Sequence, residues 1–68
     1  MGRWTPVVQI DDQIHANFIA FLSEADNMQQ ALNRRDYSGA SSAYSRAQII
    51  ANRLTTLFDQ RKAALAKV

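Results

Sequence analysis

An all-α fold, a two-helix antiparallel hairpin, is predicted by three features of this 68-residue chain. Apolar residues recur at alternating spacings of four and three, the period of a helix laid along another helix. No Gly or Pro breaks the first periodic segment, and only Gly39 touches the start of the second. A single short polar break, Arg34-Arg35-Asp36, separates them, and a link that short makes neighbouring helices antiparallel.

The elements follow in order. Residues 1–10 read as an extended N-terminal arm, because the residue before Pro6 is disfavoured in helical geometry and Val7-Val8 follow. Residues 11–68 form the hairpin. Asp11 or Asp12 is placed to cap the first helix, whose stripe is Ile14, Phe18, Phe21, Ala25, Met28 and Leu32. That helix is expected from about residue 12 to about residue 34, with Arg34 and Arg35 complementing the negative end of its dipole. Asp36 is placed to cap a second helix from Tyr37 to about residue 66. Gly39 costs roughly 1 kcal/mol against Ala there, which also allows a start at Ser41. The second helix carries one row of Ala43, Ala47, Ile50, Leu54 and Leu57, and another of Ala40, Tyr44, Ala47, Ala51, Leu54, Phe58 and Leu65. As the longer helix it overhangs the first, and Trp4, Val7, Val8 and Ile10 of the arm are expected to cover Phe58 and Leu65.

Two helices meet along one seam, and this pair has more apolar rows than a seam can hide. Ile19 and Leu22 lie beside the first stripe; Tyr44, Ala51 and Phe58 belong to the second row of the other helix. Burying one large apolar side chain is worth about 1.5–3 kcal/mol, so leaving several in water forfeits much of the ~5–15 kcal/mol of an ordinary domain. The favoured remedy is a homodimer, two hairpins closing into a four-helix bundle. A different protein covering the same residues is the alternative. Small size points the same way: so short a chain buries only roughly 60% of the surface its unfolded form exposes. With no cysteine there is no disulfide to compensate.

Chemistry is sparse. His15 is the only histidine, and with no cysteine a tetrahedral metal site lacks ligands, so neither metal nor cofactor is expected. Glu24 and Asp26 point to different parts of a helix surface, and Ser38, Ser41, Ser42 and Ser45 have no base nearby. No catalytic residue is assigned, and the chain reads as non-enzymatic. No apolar run approaches the roughly 20 residues of a membrane span. The opening Met1-Gly2-Arg3-Trp4-Thr5-Pro6 lacks a signal-peptide core, and Pro6 stands where myristoylation expects Ser or Thr. The expectation is a cytoplasmic protein, which the absence of cysteine fits.

Candidate contact residues are basic and aromatic. Arg46, Arg53, Gln60 and Lys67 form a stripe spaced by seven, either a solvated face or a surface for an acidic partner. A net charge of +2 is thin for a dedicated nucleic-acid binder, so that role ranks below protein binding. Arg34, Arg35 and Tyr37 sit together at the turn. They are equally a structural joint and a partner-binding tip, since Arg and Tyr are enriched at binding hot spots.

Two resemblances follow. The segment Ala31…Asp36-Tyr37…Ala40…Tyr44…Ala47 resembles the joint of a tetratricopeptide or MIT-type helical hairpin, where small residues pack at a crossing, although no second 34-residue copy is present. In length, paired long helices, lack of cysteine and its Arg/Tyr turn, the chain also resembles the small anti-activator proteins of Mu-like Pseudomonas phages. That resemblance implies a dimeric, non-enzymatic phage protein that mutes host quorum sensing. Its targets would be a host regulatory protein, a LuxR-type transcriptional activator caught through its DNA-binding domain, and a pilus-assembly ATPase. The other reading of the residues is a structural or chaperone-like helical module of a larger assembly.

Overall fold

The computed structural model describes residues 2–68 and contains, among them, two helices and no strand: α1, Thr5–Asn33, and α2, Tyr37–Leu65. Each helix has 29 residues. They lie antiparallel as a slender hairpin with Cα extents of 50 × 15 × 10 Å.

The extended arm is corrected. Its first residue, Met1, lies outside the described residues, but Thr5–Ile10 are already helical. Pro6 occupies the first turn, where a missing N–H is harmless and its fixed φ suits a helix. Asp11 and Asp12 therefore stand inside α1 and cap nothing; the N-cap is Trp4, with no side-chain cap bond. The helix starts early because Val7 and Ile10 continue the seam. Val7 is buried and Ile10 half-buried, so apolar packing overrides the local signal before Pro6. With equal lengths there is no overhang to cover, and Phe58 and Trp4 are both exposed.

The seam of α1 also differs from the expected stripe by one row. Ile14, Phe21 and Met28 do face α2, but their companions are Ile10, Asn17, Glu24 and Ala31 rather than Phe18, Ala25 and Leu32. Both choices satisfy alternating spacings of three and four. Close approach near the turn decides between them. Ala31 on α1 and Ala40, Ala43 and Ala47 on α2 are all buried, and small residues there let the backbones come together across a three-residue link. Leu32 in place of Ala31 would hold them apart. On α2 the expected row holds: Ala43, Ala47, Ile50 and Leu57 are buried and Leu54 is half-buried.

The turn is built by backbone geometry. Asp36 N–H donates to the Ala31 carbonyl at 2.8 Å and Arg35 N–H to the Leu32 carbonyl at 3.0 Å, the paired bonds of a Schellman ending. That ending needs a left-handed residue, supplied by Arg35 at φ 56°. Asp36 then caps α2, its Oδ1 accepting from Gly39 N–H at 2.9 Å. Gly39 is suited to this position because a Cβ there would collide with the Asp36 carboxylate. α2 accordingly starts at Tyr37 and not at Ser41.

Candidate protein-interaction surface

Rows seven residues apart flank the seam. On α1, Trp4, Asp11, Phe18, Ala25 and Leu32 border one side, and Gln13, Ala20, Asn27 and Arg34 the other. On α2 the corresponding rows are Tyr37, Tyr44, Ala51, Phe58 and Leu65, and Arg46, Arg53, Gln60 and Lys67. Antiparallel packing puts like flanks on the same side. Two cross-helix ion pairs fix this placement. Arg61 Nε donates to Asp11 Oδ1 at 2.5 Å on the first side, and Arg46 Nε to Glu24 Oε2 at 2.9 Å on the second. A shallow groove lined by Gln13, Asn17, Arg53, Thr56, Leu57 and Gln60 runs along that second side.

The hairpin is therefore two-faced. One broad face carries exposed Trp4, Phe18, Leu32, Tyr37, Tyr44, Phe58 and Leu65, with Val8 and Leu22 at its α1 margin. Its charged members are Asp11 and Arg61, which neutralise each other. The opposite face is mainly polar and basic, with one exposed apolar residue, Ile49, beside Arg46 and Arg53. Apolar exposure on one contiguous side of a small protein marks an interaction site, whereas scattered single residues do not.

The contact residues expected from the sequence divide between these places. Tyr44, Ala51 and Phe58 lie on the apolar face and Leu22 on its edge; Ile19 points away from α2, on the outer edge of α1. Arg34, Arg35 and Tyr37 form the tip, where Tyr37 is 62% exposed. Arg46 and Arg53 stand on the polar face, about three and five helical turns from Arg35 at the tip, so the five do not form one patch. Arg46 is held by Glu24, which in turn accepts from Asn27 Nδ2 at 3.1 Å. These hydrogen bonds, from Arg46 first and Asn27 second, hold the Glu24 carboxyl below its usual range against the opposing effect of desolvation. On the other face, the hydrogen bond to Asp11 raises Arg61 above the ordinary arginine value.

Trp4, Phe18, Leu32 and Leu65 belong to the apolar face, whereas the sequence points to Phe18, Leu32 and Leu65 as packed residues and favours Trp4 as a packed lid over an exposed anchor. Their signal was present: Trp4, Phe18, Ala25 and Leu32 fall on one seven-residue row. Taking Phe18 and Leu32 for seam residues hid it. Among the described residues no group of His, Asp and Glu comes together to hold a metal ion. No helix is long and apolar enough to cross a membrane. Compared with known proteins, the chain matches no family model, no curated protein and no solved structure.

Proposed function

We propose that this chain is a non-enzymatic protein-binding module whose work is done by association. The observation that carries the reading is the apolar face spanning both helices, from Trp4 and Leu65 at one end to Leu32 and Tyr37 at the other, interrupted only by the paired Asp11 and Arg61. Aromatic side chains supply large contact area at low entropic cost, and five of the residues on this face, Trp4, Phe18, Tyr37, Tyr44 and Phe58, are aromatic at 48% exposure or more. The tip adds a second contact point, since Arg34, Arg35 and Tyr37 project from a tightly bonded turn.

The inhibitory form of this reading comes from the resemblance to phage anti-activators. In it the hairpin occludes a LuxR-type activator's DNA-binding domain, and a pilus-assembly ATPase, by steric blocking in the cytoplasm. The polar face supports protein over nucleic acid as the partner, because Glu24 neutralises Arg46 within the basic stripe.

Affinity capture from a bacterial lysate tests the module, with wild-type, Tyr37→Ala and Phe58→Glu baits compared at equal helicity by circular dichroism. A protein retained by wild type and lost by one variant supports the reading. Recovery of no protein at micromolar bait, from a chain that is also monomeric, overturns it. Displacement of operator DNA from a purified LuxR-type activator tests the inhibitory form.

A further inference from the structure

We infer that the apolar face is covered by a second copy of this chain, laid face to face with both turns at the same end, so that Asp11 of each copy meets Arg61 of the other. This rests on the association reading above and names its partner.

Area comes first. A compact monomer of 7.7 kDa exposes roughly 4,300 Å², whereas this one exposes 5064 Å². The surplus, about 700 Å², is close to the ~800 Å² that each partner contributes to a stable interface of standard size. A face 50 Å long and 15 Å wide offers that area. The radius of gyration agrees: 15.6 Å, against about 11 Å for a compact chain of this length. The hairpin is half of a compact body.

Shape and charge choose the arrangement. A two-fold axis along the rod sets α1 of one copy against α2 of the other at matching levels. The register given by the two ion pairs then puts Phe18 beside Ala51 of the second copy, and Ala25 beside Tyr44 of the second copy. A large side chain meets a small one in both cases, as interdigitating layers require. At the same level as each other, Asp11 and Arg61 face their own counterparts reversed, so four charges alternate in a ring. The two-fold axis perpendicular to the rod puts the turns at opposite ends. It stacks like helices on each other, pressing Asp11 toward Ala25 and Met28 of α1 and Arg61 toward Ala40 and Tyr44 of α2, where no charge answers the pair, and desolvating a pair without new partners is costly.

The full chain supplies the test. It has no cysteine, so Ser38→Cys, an exposed site beside the turn on the edge away from α1, takes one spin label per chain. Sedimentation should show a dimer, and the label-to-label distance should be on the order of 20–30 Å, set by packed helix diameters. A distance near the 50 Å length of the rod overturns the same-end arrangement. A monomer at hundreds of micromolar overturns the second copy as occupant. If that monomer still captures another protein through Phe58, the association reading survives alone; if it captures none, both fail. Mixing Asp11→Arg chains with Arg61→Asp chains provides a second measurement. Same-end pairing expects about tenfold enrichment of the heterodimer, since each repulsive pair finds its complement across the interface. Random mixing of folded variants contradicts it.

Discussion

Arg35 does a glycine's job. Its φ of 56° places a side chain in the left-handed region, where a Cβ costs roughly 1–2 kcal/mol. Arg35→Gly is therefore expected to raise stability by about 1 kcal/mol in urea melts. If it also weakens capture of a partner, the arginine is retained at the tip for contact. The neighbouring cap is a balance of two small effects. Asp36→Ala should cost about 1 kcal/mol by removing the bond to Gly39 N–H. Gly39→Ala should leave stability nearly unchanged, because displacing the Asp36 carboxylate offsets the ~1 kcal/mol gained in helix propensity. Glu24 adds a pH dependence. Its carboxyl titrates lower in the folded chain than in the unfolded one, so the unfolded chain takes up a proton first as pH falls. The stability it contributes is present above about pH 4.3 and is lost as pH drops through the folded value. In Glu24→Gln, the acid-range slope of Tm against pH should flatten.

Between the helices, the seam is thin. Its buried residues are Val7, Ala31, Ala40, Ala43, Ala47, Ile50 and Leu57, and more than half of these are alanines with little apolar area to give. Stability is thus concentrated in a few side chains. Leu57→Ala is expected to cost about 2–5 kcal/mol, and Leu54→Ala less, because Leu54 is only half-buried. Denaturant titration of the two variants checks the order; an equal or reversed cost would mean that Leu54 is covered in the assembled protein. Asn17 shows the limits of the seam in another way. It takes a half-buried place among apolar neighbours and donates to its own helix at the Gln13 carbonyl, 2.8 Å away. It makes no side-chain hydrogen bond to α2.

For the whole molecule, a core this small and a surface this apolar leave a lone hairpin marginal. Melting should therefore depend on protein concentration, with Tm rising as the chain is concentrated, because assembly stabilises the folded form by mass action. Phe58→Glu, at the centre of the exposed rows toward the chain ends, should remove that dependence. A Tm that stays constant over a hundredfold range in wild type would show the hairpin self-sufficient.

The hairpin, its turn and the α2 row were legible in the amino-acid sequence, since alternating spacings of three and four and an Asp before a helix act locally. The surplus of apolar rows was legible too, because it follows from counting rows against one seam. What only the tertiary structure decided was which α1 row enters that seam and where α1 begins. Ile14, Phe21 and Met28 accept either neighbouring row, and the close approach of Ala31 to the α2 alanines breaks the tie. With that row in the seam, Val7 and Ile10 fall on it too, one buried and one half-buried, and the expected arm is helical. Periodicity is a property of one helix; its phase against a partner depends on side chains far along the chain.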